Sequence, residues 1–280
     1  MKEINVEQIS KEVRELCINA NYYLGEDVKN ALINSRDNEN WDIAKGILNK
    51  IITNADIAKN ENMPMCQDTG MACVFVELGQ EVHIVGGSLE DAINEGVRKG
   101  YTDGYLRKSV VKDPLDRVNT KDNTPAIIYY NVVPGDKLKI TVAPKGFGSE
   151  NMSQIKMLKP SDGLEGVKEF ILKVVKEAGP NPCPPIVVGV GIGGTFDRSA
   201  NLAKKALIRP FDKRNSNPFY EELENELLEA INSLGIGPQG FGGKTTALAV
   251  NIETYATHIA GLPVAVNINC HATRHAEVEL

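Results

Sequence analysis

The pattern of apolar and polar positions predicts a helical beginning for this chain. Apolar residues recur at intervals of three and four between positions 6 and 20, which is the spacing of one face of an α-helix. These positions are Val6, Ile9, Val13, Leu16 and Ala20. The same spacing returns at Trp41, Ala44, Leu48, Ile51 and Ala55. We therefore predict that residues 1–57 form a helical N-terminal part.

Short apolar runs after residue 57 predict β-strands. Two of them, residues 71–78 and 81–85, follow each other closely. Residues 126–133 and 137–143 form a second pair, and the turn residues Pro134-Gly135-Asp136 lie between them. This second pair is predicted to be a hairpin.

Further helices are predicted after the first strands. Ser88 begins a capping-box pattern for a helix to about residue 100, and residues 164–176 are amphipathic. Asn217-Pro218 suits the N-cap and first position of a helix that extends to about residue 234. The predicted fold class is therefore α+β, with a helical N-terminal part followed by a mixed sheet and helices.

Two glycine-rich stretches raise the alternative of nucleotide binding. Gly189, Gly191 and Gly194 match the GxGxxG pattern, but a clear βαβ repeat around them is missing. Residues 235–246 resemble a phosphate loop, yet the Walker spacing requires a glycine where Pro238 stands. Both patterns are weak, and nucleotide binding is the less favoured interpretation.

Composition narrows the class of protein. The 280 residues are 42% hydrophobic and 24% charged, as in ordinary soluble globular proteins. The net charge of −6 argues against a nucleic-acid partner, which a basic surface would attract. The sequence has neither an apolar run of membrane-spanning length nor an N-terminal signal segment. We expect a cytoplasmic protein without a membrane partner.

The cysteines indicate metal binding or catalysis more than disulfides. Their number is odd, no CxxC pair occurs, and they are spread over the whole chain at Cys17, Cys66, Cys73, Cys183 and Cys270. Cys66 lies in a loop between a proline and a glycine, and Cys183 lies among prolines in Pro180-Asn-Pro-Cys-Pro-Pro185. Cys17 and Cys73 fall within a predicted helix and strand, where packing is the expected role.

Six motifs occur in a distinctive order along the chain. They are Cys66-Gln-Asp-Thr-Gly70; Arg107 with Asn119-Thr-Lys-Asp-Asn123; Gly146-Phe-Gly-Ser-Glu-Asn151; Cys183-Pro-Pro with Gly189-Val-Gly-Ile-Gly-Gly-Thr195; Gly237-Pro-Gln-Gly-Phe-Gly-Gly243; and His258 with Pro263 and Cys270. Together they resemble the class I, iron–sulfur fumarate hydratase and L(+)-tartrate dehydratase family, in its alpha subunit or N-terminal domain. The resemblance covers essentially residues 1–280, which it implies to be one hydro-lyase domain.

The resemblance implies a [4Fe-4S] cluster held by Cys66, Cys183 and Cys270. Three thiolates leave one iron without a protein ligand, and such an iron can bind substrate as a Lewis acid. The separations along the chain are 117 residues (183 − 66) and 87 residues (270 − 183). A cluster with these ligands would hold distant parts of the fold together.

The same resemblance implies the remaining site residues. Gln67, Asp68, Arg107 and Gly148 match positions that contact a small dicarboxylate substrate. Asp68 and His258 match a pair that handles the proton on the departing hydroxyl. The sequence ends shortly after Cys270, so we expect the base for the carbon-bound proton to lie on a separate beta subunit, in an α2β2 heterotetramer.

The favoured function is reversible hydration of fumarate to (S)-malate. Within the same class, the alternative is L(+)-tartrate dehydratase, which converts tartrate to oxaloacetate. From another class, a non-enzymatic iron–sulfur redox or sensor protein would also use three cysteines. Such a protein would not need Asp68, Arg107 and His258 around the cluster.

Overall fold

A computed structural model describes residues 2–280 and has the α+β fold with mixed sheets that the sequence predicts. The helices are α1 (Val6–Tyr22), α2 (Glu26–Asp37), α3 (Asp42–Glu61), α4 (Leu89–Asp103), α5 (Phe147–Glu150), α6 (Gly163–Ala178), α7 (Phe196–Ala206) and α8 (Pro218–Asn232). The strands are β1 (Lys2–Asn5), β2 (Met71–Gly79), β3 (Val82–Val85), β4 (Ile127–Val133), β5 (Leu138–Lys145), β6 (Gln154–Leu158), β7 (Ile186–Gly193), β8 (Ala247–Tyr255), β9 (Leu262–Asn269) and β10 (Ala276–Glu279).

The N-terminal part is helical as predicted, apart from its first residues. Strand β1 precedes α1 and pairs in parallel with β3, a contact with distant residues that no local periodicity signals. Asn5 ends the strand and caps the helix, because its side-chain oxygen accepts a hydrogen bond from Glu7 N at 2.8 Å. The last helix of this part, α3, continues beyond the predicted boundary to Glu61.

The chain divides into two compact units. Unit 1 comprises the described residues up to Leu24 together with Ala55–Phe147 and Arg274–Leu280. Unit 2 comprises Gly25–Asn54 and Gly148–Thr273. Each unit has its own four-stranded sheet and its own hydrophobic core.

The sheet of unit 1 has the order β10-β5-β2-β4, and this order corrects the predicted hairpin. Strand β2 lies between β4 and β5, so Val74 pairs with Ile128 on one side and with Val142 on the other. The largely buried β2 takes a central position, whereas the more exposed β4 takes the edge. The connection at residues 134–136 passes around the end of β2, where a Cβ on Gly79 would lie 2.4 Å from the oxygen of Gly135.

Helices α1 and α4 pack closely against each other in unit 1. A Cβ at Gly96 would lie 2.6 Å from Val13 Cβ, and one at Gly100 would lie 2.7 Å from Cys17 Cβ. The two glycines therefore allow the helix backbones to approach. Cys17 fills part of this contact and is fully buried, which agrees with its predicted packing role.

The sheet of unit 2 has the order β6-β9-β7-β8 and is covered on both faces. Alternate residues of β7, such as Val188 and Val190, join the core that α6 and α8 share. On the other face, a Cβ at Gly189 or Gly191 would lie 2.2 Å from Ala203 O or 2.0 Å from Ser199 O, both in α7. These two glycines of the GxGxxG pattern therefore permit close packing of a helix on a strand.

The helices of residues 2–280 include none with the combination of length and apolar character that a membrane span requires.

Candidate functional site

Cys183 and Cys270 lie together at one end of the unit 2 sheet. Cys183 precedes β7 and Cys270 follows β9, and these antiparallel strands pair Val187 with Asn269. The chain after Cys270 returns to Cys183, because both the backbone nitrogen and the ring Nδ1 of His271 lie within hydrogen-bonding distance of Cys183 O, at 3.4 and 3.0 Å. Two cysteines that are 87 residues apart in sequence (270 − 183) thus become neighbours through strand register.

Cys183 has an unusual backbone conformation. Its φ of 55° is in the left-handed region, which costs a non-glycine residue on the order of 1–3 kcal/mol and persists only where surrounding contacts impose it. Its amide donates to Pro180 O at 3.1 Å, and the Cys183 side chain is exposed. We call residues 180–185 the proline frame. It presents the Cys183 side chain at the protein surface.

The loop that carries Cys66 and Asp68 is fixed within unit 1 by backbone contacts. Asp68 Oδ1 accepts from Gly70 N at 3.1 Å, and Oδ2 accepts from Phe147 N at 2.9 Å. The main-chain oxygen of Asp68 accepts from the Arg274 guanidinium at 2.7 Å. Cys66 is half-buried, and its Sγ lies 3.5 Å from the Gln67 side-chain oxygen. The Asp68 carboxylate is thus held at a defined position beside the cysteine.

Thr69 connects this loop to the loop that carries Arg107. The buried Thr69 hydroxyl accepts from Arg107 N at 2.9 Å and lies 3.3 Å from Arg107 O, to which it can donate. The Arg107 side chain is exposed, and no ion pair joins its guanidinium to a carboxylate in the described part of the chain. Its five N–H donors can therefore face a ligand.

Two buried residues hold the backbone behind these loops. Tyr101 is fully buried, and burial raises the pKa of its phenol well above the ordinary value, so the hydroxyl keeps its proton. That hydroxyl lies 2.8 Å from Thr69 O and 3.1 Å from Gly70 O. Asn123 donates to Gly70 O and accepts from the amides of Ser109 and Val110. Hydrogen bonds from the buried side chains of Tyr101 and Asn123 thus fix the position of the Cys66 loop relative to the Arg107 loop.

The other two predicted site residues belong to unit 2. Gly148 is exposed, and a Cβ added there would meet no atom within 4 Å, so its backbone is open to a ligand. His258 follows β8, whose last residue Tyr255 pairs with Gly193 at the end of β7 away from Cys183. The strand from Val187 to Ile192 alone is about 16 Å long at roughly 3.3 Å per residue. The structure therefore does not bring His258 to Cys183 and Cys270 within unit 2.

Accessibility separates the three predicted cluster ligands from the other cysteines. Cys66 and Cys270 are half-buried and Cys183 is exposed, whereas Cys17 and Cys73 are buried. A ligand must be a thiolate, and burial raises the pKa of Cys17 to about 12. In accessibility and in thiol chemistry, Cys66, Cys183 and Cys270 are each suited to be a ligand of an iron–sulfur cluster.

Among residues 2–280, no three His, Cys, Asp or Glu side chains are grouped as the ligands of one metal ion would be. In a four-iron cluster each thiolate binds a different iron, so its ligands need not converge on a single point.

Several supporting residues could not be assigned from the sequence. Thr69 lies in the motif of Cys66 and Asn123 in the motif of Arg107, but the residue types alone do not indicate that these side chains support the loops. Tyr101 and Arg274 have no local signal at all, since each acts on residues far away in the chain. Arg274, for example, also donates to Asn21, which lies 253 residues earlier.

Residues 10–279 match the model of the family described as fumarate hydratase (Fumerase). A protein of Methanocaldococcus jannaschii, provisionally named L(+)-tartrate dehydratase subunit alpha, is 47% identical over 277 residues, which is 96% of each chain. The L(+)-tartrate dehydratase subunit alpha of Escherichia coli strain K12 is 34% identical over 282 residues, covering 98% of this chain and 92% of that protein. The order of the motifs and the arrangement of the Cys66 and Arg107 loops agree with the family that these matches indicate. This chain belongs to the fumarate hydratase family of hydro-lyases.

Proposed function

We propose that this chain is the cluster-bearing alpha subunit of a [4Fe-4S] hydro-lyase that interconverts fumarate and (S)-malate together with a beta subunit. The observation that carries the proposal is the hydrogen-bonded arrangement of the Cys66 and Arg107 loops in unit 1. It combines a thiol, a carboxylate and an exposed guanidinium. The relatives named as alpha subunits, aligned along nearly their whole length, support the requirement for a second subunit.

The proposed cluster ligands are Cys66, Cys183 and Cys270. When bound, the cluster would supply an iron without a protein ligand, which acts as a Lewis acid toward the substrate hydroxyl. The protein's contribution is to present three thiolates from loops that other contacts hold in place.

Substrate binding is assigned to Gln67, Asp68, Arg107 and Gly148. The planar guanidinium of Arg107 can hold one substrate carboxylate through two parallel hydrogen bonds. The exposed Gly148 amide and the exposed Gln67 carboxamide can donate to the substrate's remaining oxygens. Gln67 and Arg107 lie on loops, where binding residues are commonly found, and Gly148 lies in the short helix α5.

Asp68 is proposed to handle the proton of the departing hydroxyl. Each of its oxygens accepts one backbone N–H and keeps a further lone pair, which can accept a proton from the attacking water during hydration. In the reverse direction the protonated carboxyl would return this proton to the departing hydroxyl. The resemblance pairs Asp68 with His258, and the proposal keeps this pair. His258 follows β8, at the end of the unit 2 sheet away from Cys183.

L(+)-tartrate dehydratase is the second candidate, because both relatives described above carry that name. Steady-state assays on anaerobically co-expressed subunits distinguish the two. We expect the higher kcat/KM with fumarate and malate. A higher value with L(+)-tartrate would assign the alternative activity. A stable, redox-active cluster with no turnover of any of these acids would instead support the redox or sensor function.

Arg107 provides a prediction about substrate binding. In Arg107→Lys the charge remains but the planar pair of donors is lost, so we expect KM for fumarate to rise. If the contact is equally strong in the ground and transition states, kcat changes little. Steady-state kinetics measure both constants, and iron content serves as the control that the cluster is intact. Wild-type kinetics in Arg107→Ala would exclude Arg107 from the binding site.

A further inference from the structure

The glycine-rich stretch that resembles a phosphate loop folds tightly on itself. We call residues 237–243 the glycine loop. Gly237, Gly240, Gly242 and Gly243 all have positive φ angles. A Cβ at Gly237 would lie 1.8 Å from Gly242 O, so the chain crosses itself at a distance that only glycine permits.

Most backbone amides of the glycine loop already have partners inside the protein. Gly237 N donates to Thr246 Oγ1, Gly240 N to Gly237 O, and Gly242 N to Ile236 O. A phosphate loop needs such amides free to point at the anion. The loop is therefore built for a contact within the protein, and its position shows which one.

The glycine loop packs on the proline frame of Cys183. A Cβ at Gly240 would lie 2.3 Å from Pro180 Cβ, which shows how closely the two segments approach. Gln239 contacts the same frame twice, since its backbone nitrogen donates to Pro184 O at 2.7 Å and its side-chain Nε2 donates to the same oxygen at 2.8 Å. Gln239 itself has a φ of 55°, a conformation that glycine would adopt with less strain.

The Gln239 carboxamide lies against the neighbours of two cluster cysteines. Pro184 O can only accept, so the atom that faces it must be the amide nitrogen. The same nitrogen is 3.2 Å from Nδ1 of His271, and that Nδ1 is 3.0 Å from Cys183 O. Pro184 follows Cys183, and His271 follows Cys270. One side chain thus touches the residue after each of these cysteines.

We propose that Gln239 is a positioning residue that fixes the spacing of Cys183 and Cys270 for the cluster. This inference rests on the proposed function, because it concerns how the chain presents two thiolates. Groups behind metal ligands orient them, and their loss typically lowers metal affinity about 10- to 100-fold. A glutamine at a position suited to glycine is consistent with a side chain whose contacts offset the backbone strain.

Two substitutions test the inference. Gln239→Glu keeps the size of the side chain but removes its N–H donors and places an oxygen opposite Pro184 O. Gln239→Gly removes the side chain, relieves the positive φ and leaves the backbone bond to Pro184 O. The matched control is Gly235→Ala, which strains a nearby backbone at φ 67° in open space without touching the proline frame.

The measurement is the rate of iron loss from the reconstituted protein to a chelator without oxygen, together with the electron paramagnetic resonance spectrum of the cluster after chemical reduction by one electron. We expect both Gln239 variants to lose iron about 10- to 100-fold faster than the wild type and to show an altered spectrum. Gly235→Ala should lose iron at the wild-type rate. Thermal unfolding of the cluster-free proteins reports on the fold separately, and Gln239→Gly should be no less stable than the wild type.

The outcomes separate the two proposals. Iron loss at the wild-type rate in Gln239→Gly, with a wild-type spectrum, would overturn the role of Gln239 and leave the proposed function standing. Equally fast loss in Gly235→Ala would also overturn it, because general weakening of the loop would then suffice. If the wild-type protein accepts no cluster under anaerobic reconstitution, the proposed function itself fails. If Gln239→Glu does not fold, the result for Gln239→Gly decides.

Discussion

Replacing Cys183 by serine is expected to abolish the iron–sulfur cluster. Wild-type protein reconstituted without oxygen should carry about one four-iron cluster per chain, held by three thiolates. Serine has nearly the shape of cysteine but supplies no soft sulfur ligand for iron. With only Cys66 and Cys270 left, we expect the cluster to be lost and hydration of fumarate with it. Cys66→Ser and Cys270→Ser should behave in the same way.

The two buried cysteines provide the control for this prediction. Cys17→Ala and Cys73→Ala remove sulfurs that are 0% and 5% exposed, so they should lower thermal stability while leaving iron content unchanged. Iron and sulfide analysis per chain measures the cluster directly, and electron paramagnetic resonance of the chemically reduced protein gives an independent measurement. A full cluster in Cys183→Ser would contradict the ligand assignment, as would its loss in a folded Cys17→Ala protein.

The parts of the fold that were predictable are those that local periodicity determines. The apolar face of α1 follows from spacing alone, and four of its five predicted positions are buried, at Ile9, Val13, Leu16 and Ala20. The Ser88 and Asn217 caps begin α4 and α8 as predicted. Strand partners are different, because pairing depends on distant residues. Sequence places β4 next to β5 along the chain, but β2 separates them in the sheet.

The candidate site shows the same division between residue type and placement. The motifs identify Cys66, Cys183 and Cys270 by resemblance, but only the register of β7 and β9 explains how two of them meet. His258 and Cys270 lie at opposite ends of β9, because a strand of eight residues separates them. Residues at the two ends of a strand are far apart, because each residue adds roughly 3.3 Å to its length, whereas residues in register on neighbouring strands lie close together.

The glycine-rich motifs illustrate why a pattern alone gives the wrong chemistry. Glycines in the GxGxxG pattern and in the glycine loop indicate positions where another group approaches the backbone closely or where φ is positive. At Gly191 the group that approaches closely is the backbone of helix α7. At Gly237 it is the backbone of the glycine loop itself, at Gly242. The sequence records the steric need correctly, but it does not record which group creates that need.

The chain without a partner is expected to be almost inactive, even with a full cluster. Removal of water across a carbon–carbon bond requires loss of hydroxide and removal of a carbon-bound proton by a base. The residues proposed here, with Asp68 and the cluster, serve the first of these events. The relatives named as alpha subunits match this chain over 92–96% of their length, which supports a separate subunit for the second. Lack of a general base typically costs about 10²- to 10⁴-fold in rate, and an incomplete pocket adds a loss of positioning.

Reconstitution provides the measurement for this prediction. Fumarate hydration by the cluster-loaded chain should be near background and should rise by at least about 10²-fold when a beta-type subunit of the same family is added. The Cys183→Ser chain with the same partner is the matched control, because it can assemble but should lack the cluster. Full activity of the chain alone would contradict the two-subunit proposal. It would direct attention to His271 and His275 as bases, and His271 is the stronger of the two because its ring already lies against Cys183 O.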